Sequence, residues 1–170
     1  MKKDFVLPIL ALTLICFVMA GALALVNNVT YPIIAQGAAE RAEAARREII
    51  PHAEDFVLVE DERLPGSIVA AYASTNDVGY VFIVSVRGYG GEMRIISGID
   101  RGGAIIRSMV LTDSETVGLG TAVFEKAAYI EAGGGSLLDV DAISGSTITL
   151  HAYQRALGDA LAAFEIVRGV

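Results

Sequence analysis

Three kinds of hydrophobic pattern follow one another along the chain. Residues 5–26 hold no charged side chain and are dominated by Leu, Ala, Val, Ile and Phe. About twenty such residues in helical form span a hydrocarbon core. Pro8 and Gly21, near the two ends of the run, are tolerated in a membrane helix. Residues 35–49 then become rich in Ala, Glu and Arg, which predicts a helix leaving the membrane and ending before Pro51. Glu43 and Arg47 stand four apart, in the order that supports a helix.

From residue 56 to residue 111 the pattern becomes that of strands. Segments 67–73, 79–86, 93–100 and 104–111 are rich in Val, Ile, Tyr or Phe and bounded by turn residues. Asp100-Arg101-Gly102-Gly103 reads as a hairpin turn, and short connections predict an antiparallel meander. The period then becomes helical. A short helix is expected over residues 121–131, a break at Gly133-Gly134-Gly135, and a longer helix over residues 147–167. Ile148, Ala152, Ala156, Leu157, Ala160, Leu161 and Phe164 would form the apolar face of that last helix. Strands followed by helices predict an α+β fold, an antiparallel sheet with flanking helices behind one transmembrane helix. The expected divisions are an anchor over residues 1–26, a juxtamembrane segment and helix over 27–52, and a globular domain over 53–170.

Charge sets the topology. Lys2 and Lys3 precede the apolar run, and no Lys or Arg follows it until Arg41. This predicts a single pass through the cell (inner) membrane, with a cytoplasmic N-terminus and a periplasmic or extracellular domain. Val18-Met19-Ala20 would serve as a signal-peptide cleavage site, but the apolar run continues past it to Val26 and favours a retained anchor. Cys16 has no small residue directly before it, unlike a lipidation signal. The external portion contains no Cys, which excludes disulfides and thiol chemistry there. The net charge is −7 at pH 7, and the residues ahead of the anchor are basic on balance, so the domain is acidic. Nucleic acid and anionic lipid surfaces are therefore not expected partners.

Three stretches carry candidate chemistry. Arg87-Gly88-Tyr89-Gly90-Gly91 reads either as a hairpin loop or as a low-bulk site that lets a planar ligand approach the backbone. Ser114-Glu115-Thr116-Val117-Gly118-Leu119-Gly120 connects a strand to a helix. It lacks the spacing and the βαβ context of a dinucleotide fingerprint. Residues 141–149, Asp-Ala-Ile-Ser-Gly-Ser-Thr-Ile-Thr, crowd hydroxyls at a helix start where one cap suffices. Helix amides and hydroxyls together favour a phosphate. Capping by Asp141 or Ser144, with the other hydroxyls on the surface, accounts for the same residues. His52 and His151 have no Cys or carboxylate at metal-ligand spacing, so no metal site is expected. His151 reads as an exposed first-turn residue.

Taken in order, the membrane helix, GYGGEM at 88–93, ETVGLG at 115–120 and DAISGSTIT at 141–149 resemble the FMN-binding domain family. Its members include the G subunit of the Rnf electron-transport complex and the C subunit of the sodium-pumping NADH:quinone reductase. The resemblance covers nearly the whole chain and implies that the domain over 53–170 carries FMN. In the family the last motif is a flavinylation signal. A flavin transferase, using FAD, esterifies the FMN phosphate to the hydroxyl of the final Thr, by position Thr149. The resemblance further implies that Ser144, Gly145, Ser146 and Thr147 surround the phosphate. Glu115, Thr116, Gly118, Leu119, Tyr89 and Gly90 would form the surroundings of the ring, with no acid–base catalyst among them. Ser146 stands where the family usually has Ala, and Val117 where it usually has Pro. The segment between Gly120 and Asp141 is short for the family. The implied function is a membrane-anchored electron carrier. It would be a redox subunit of a multi-subunit translocase rather than a complete enzyme, working with the other membrane subunits of an Rnf-type complex. A stand-alone external flavin reductase and a non-catalytic assembly subunit are the two other readings.

Overall fold

A computed structural model describes residues 2–115, 120–132 and 137–169. Helix α1 (Lys2–Ile49) is followed by strands β1 (Phe56–Val59), β2 (Ile68–Ser74), β3 (Gly79–Arg87), β4 (Glu92–Asp100) and β5 (Ile105–Thr112). Helix α2 (Thr121–Ala132), a 3-10 turn at Leu137–Asp139 and helix α3 (Thr147–Val167) complete an α+β fold. Two units form, Met1–Arg41 and Ala42–Val170.

The first unit lies within α1. That helix joins the two helical segments expected from the sequence. Extending a helix across residues 27–34 adds hydrogen bonds without a second nucleation cost. Thr30 Oγ1 donates to Val26 O at 2.9 Å, and Pro32 is carried inside the helix. The apolar side chains of this unit, Leu7, Phe17 and Leu25 among them, are exposed. Among the described residues this is a helix long and apolar enough to cross a membrane.

In the second unit the five strands form one antiparallel meander in the order β1-β2-β3-β4-β5. Four of the strands were expected. β1 is only four residues long, too short to show a period, and its Val57 and Leu58 are exposed at the sheet edge. Side chains alternate between two buried faces. Phe82, Val84, Met93, Ile95 and Ile99 point to one face, against α3. Val81, Ile83 and Ile96 point to the other, where Ala45, Ile49 and Ile50 at the end of α1 cover them. A Cβ on Gly98 would collide with the Ile49 side chain, so Gly98 lets this last turn lie close on the sheet. The β4–β5 hairpin closes as expected, with Gly103 N–H donating to Asp100 O at 3.1 Å.

Helix α3 buries Leu150, Tyr153, Ala156, Leu157, Ala160, Phe164 and Val167. Ile148 is not on this face, as the sequence pattern implied, but is 57% exposed, and Thr149 is buried in its place. The reason is helical phase. Positions 149, 153, 156, 157, 160, 164 and 167 recur at spacings of three and four, and position 148 precedes that stripe by one residue. The helix is also tied by polar contacts. Tyr153 Oη and Ser108 Oγ lie 2.8 Å apart in the core, and Ser67 Oγ donates to Asp159 Oδ2 at 2.6 Å.

Phe164 meets the edge of Tyr80 with centroids 5.5 Å apart and is 1% exposed. Phe164→Ala should lower stability by about 3–5 kcal/mol, read by urea unfolding of the full chain in detergent. A loss below about 1 kcal/mol would show that the α3–sheet contact is not part of the cooperative core.

Candidate functional site

The start of α3 is built by a sharp turn. Ser146 N–H donates to Ile143 O at 2.9 Å, and Gly145 adopts φ +78°. A positive φ at the third position of such a turn favours Gly. The helix begins at Thr147, with Ser146 as N-cap. Ser146, not Asp141 or Ser144, thus holds the cap position, and its side chain makes no capping hydrogen bond. Leu150 N–H makes the first helical bond, to Ser146 O at 2.9 Å. The amides of Thr147, Ile148 and Thr149 precede it and have no carbonyl one turn back. The incoming segment is pinned from the helix, where Gln154 Nε2 donates to Leu137 O at 3.0 Å and to Val140 O at 2.7 Å.

The hydroxyls of the motif have different surroundings. Ser144 is exposed. Ser146 is 4% exposed. Thr147 Oγ1 bonds back to Ile143 O at 3.3 Å. Thr149 is 1% exposed, and its Oγ1 is buried with no hydrogen-bond partner among the described residues. A buried hydroxyl left unpaired costs about 1–3 kcal/mol. His151 is exposed, as expected.

A cavity of about 370 Å³ opens at this helix start. It is lined by Tyr89, Gly120, Gly145, Ser146, Thr147, Ile148 and Thr149. Its volume lies within the range of about 300–1,000 Å³ usual for small-ligand sites. The cavity unites residues from all three sequence stretches, which lie far apart along the chain. Tyr89, 68% exposed, and Ile148 supply apolar surface. The helix start supplies donors and the positive end of a dipole. Gly120 and Ile148 are liners that the sequence did not single out. Their signal was weak, one glycine at the end of a connection and one apolar side chain among hydroxyls.

Glu115 and Gly90 stand in direct contact beside the cavity. Gly90 N–H donates to Glu115 Oε2 at 3.2 Å. Glu115 is 8% exposed, and its Oε1 has no hydrogen-bond partner among the described residues. Thr116, Gly118 and Leu119 lie outside the described residues.

A larger hollow of about 630 Å³ lies by β1 and β2, lined in part by Leu58, Glu60, Asp61, Leu64 and Val69. Its Asp61 is already engaged, because Arg63 Nη2 donates to Asp61 Oδ2 at 2.6 Å. Hydrogen bonds from the Arg63 side chain and backbone hold the Asp61 carboxyl at about 2. The smaller cavity is the better site, because it holds an unpaired hydroxyl beside open helix amides.

Residues 88–162 match the FMN-binding domain model. The chain is 30% identical to the G subunit of the ion-translocating oxidoreductase complex of Methanosarcina acetivorans, covering 94% of each protein. It is 28% identical to the G subunit of the like-named complex of Shewanella piezotolerans, over 92% of this chain and 88% of the relative. It is 32% identical to the G subunit of the Na(+)-translocating ferredoxin:NAD(+) oxidoreductase complex of Acetobacterium woodii, over 65% of this chain and 61% of the relative.

Gly145→Ala should destabilise the domain by about 1–2 kcal/mol, because an L side chain disfavours that φ. The midpoint of urea unfolding should fall while its slope stays the same. An unchanged midpoint would show that the turn before α3 relaxes to a negative φ.

Proposed function

Since this chain belongs to the family of G subunits of ion-translocating oxidoreductase complexes and carries their FMN-binding domain, we propose that it is a membrane-anchored electron-carrier subunit holding FMN as a phosphoester on Thr149. The observation that carries this reading is the Thr149 hydroxyl, buried and unpaired, in a cavity at the first turn of α3. Esterification removes the O–H donor that the pocket leaves unsatisfied. In the maturation step, Thr149 Oγ1 bonds to the FMN phosphorus as the pyrophosphate bond of FAD breaks. AMP leaves, and the hydroxyl proton passes to solvent. A flavin transferase, using FAD as the donor, supplies the catalysis.

The residues around Thr149 fit this group. The amides of Thr147, Ile148 and Thr149 and the Ser146 hydroxyl offer donors to phosphate oxygens, and the α3 dipole favours their charge. Ser144 and Gly145 shape the approach. Tyr89 and Ile148 offer apolar surface to a ring, with Gly90 and Glu115 beside it, and the family resemblance adds Thr116, Gly118 and Leu119, which lie outside the described residues. When bound, FMN supplies reversible electron transfer, and the protein supplies placement and electrostatics. Attachment through the phosphate keeps the cofactor from being lost by dilution outside the cell.

In this reading residues 1–26 anchor the protein, 27–52 form the juxtamembrane segment and 53–170 carry the flavin. The N-terminus is cytoplasmic and the domain external, in line with Lys2 and Lys3 ahead of the apolar run. The partners are the other membrane subunits of an Rnf-type complex. The electron path would join a low-potential donor to a second acceptor; the name of the Acetobacterium woodii relative gives ferredoxin and NAD(+) for its own complex.

Membranes from cells with an active flavin transferase should give a fluorescent band at the mass of the chain on a denaturing gel. Thr149→Val should abolish it. Fluorescence that survives this change would place the attachment elsewhere. The topology has a separate test. Protease added to intact cells, or to spheroplasts where there is an outer membrane, should degrade the chain beyond about residue 42. Digestion only after membrane rupture would reverse the orientation.

A further inference from the structure

Two of the glycine-rich stretches meet at one carboxyl group. A Cβ on Gly88 would collide with Glu115 Oε1, and one on Gly120 with Glu115 Oε2 and Cβ. A Cβ on Gly90 would collide with Ser114 O and stand 2.8 Å from Glu115 Cα. Gly88 N–H closes the loop onto Gly91 O at 2.9 Å, and Gly90 N–H reaches Glu115 Oε2 at 3.2 Å. From the other side, Arg155 Nη2 of α3 donates to Arg87 O at 3.4 Å. Of these three glycines, Gly88 and Gly120 thus form a cup without side-chain bulk that the Glu115 carboxyl fills, and Gly90 lets the backbone of residues 114 and 115 lie close. Tyr89 sits between two of the glycines and lines the cavity at the start of α3.

We propose that Glu115 is a positioning residue: its carboxyl group props the loop over residues 88–91 and so sets where Tyr89 stands in the cavity. A hydrophobic side chain would fill the same space but could not accept the Gly90 N–H. That donor would otherwise be stranded against the backbone of residues 114 and 115. The same contact accounts for the buried carboxyl oxygen, Oε1, that has no partner. Shape and one backbone bond retain the group, although its second oxygen is unsatisfied. That the cavity takes FMN rests on the function proposed above; the propping of the loop does not.

The test has a flavin-free arm and a flavin-bearing arm, both on the full chain in detergent. In a Thr149→Val background, backbone hydrogen exchange of the peptide covering residues 88–91 is compared with that of β3 and β4. Glu115→Ala should speed exchange at 88–91 by about tenfold or more and leave the strands unchanged. Glu115→Gln, whose amide carbonyl accepts the same N–H, should stay within about threefold of the parent. Unchanged exchange at 88–91 in Glu115→Ala would overturn the proposal. Where Glu115→Ala loosens the strands as well, Gly88→Ala decides, because its Cβ would collide with Glu115 Oε1 in the same cup. It should give the local rise alone, and parent-like exchange at 88–91 would refute the cup. In the flavin-bearing chain with Thr149 intact, Glu115→Ala and Tyr89→Ala should each weaken the visible circular dichroism of the flavin by at least about twofold. The double variant should fall no further. Additive losses would show that Glu115 does not act through Tyr89. A chain carrying no flavin at all would sink the function proposed above, while the exchange arm would still decide the role of Glu115.

Discussion

The docking of α3 on the sheet governs the rest of the domain. Leu150, Tyr153, Leu157 and Phe164 can leave water only by lying against Phe82, Val84, Ile95 and Ile99. That contact fixes the rotation of the helix about its axis. Thr149 stands four residues before Tyr153 on the same stripe, so the rotation that buries the core also buries this hydroxyl. Ile148, one residue earlier, is turned outward by the same phase and becomes part of the cavity. The Tyr153–Ser108 contact and the Ser67–Asp159 bond hold the rotation from within the core and from its margin.

Burial on both faces makes the sheet a firm support for this site. The end of α1 closes the face opposite α3, with Ile49 seated where Gly98 has no side chain. β3 and β4 therefore have apolar residues pointing both ways and run through the centre of the domain. Their connecting loop projects Tyr89 from the end of the stiffest part of the sheet. A binding group carried on such a support keeps its place better than one carried on a long free loop.

The chemistry assigned to the cavity needs no acid, base or metal from the protein. It needs an attachment atom, donors for a phosphate and a surface for a planar ring. In the proposed reading the first turn of α3, with Tyr89 and Gly120 beside it, supplies these parts. The hydroxyls that look redundant in the sequence divide the tasks. Ser146 lies at the cap, Thr147 is bonded back to the turn, and Thr149 alone among the described residues of the motif offers a buried oxygen with no partner.

The sequence by itself determined much of the architecture. The apolar run, the four longer strands, the Asp100–Gly103 hairpin and the bounds of α3 follow from local period and turn chemistry, which neighbouring residues encode. The motif order also pointed to the site, and Thr149 could be singled out by its position in it. Tertiary structure decided what local signals do not carry. β1 exists because an edge strand pairs with β2, although four residues show no period. Ile148, expected on the apolar face, is exposed and Thr149 is buried in its place, because the rotation of α3 is chosen by the whole sheet. The glycines of the first two motifs read in the sequence as a hairpin loop or low-bulk ligand site and as a strand-to-helix connection. In the fold, Gly88 and Gly120 leave room for the Glu115 carboxyl and Gly90 for the backbone of residues 114 and 115, and Glu115 accepts the Gly90 N–H from 25 residues away. Close approach of backbone segments so distant along the chain leaves no trace in either segment alone, because the space a missing side chain leaves is defined only by what fills it.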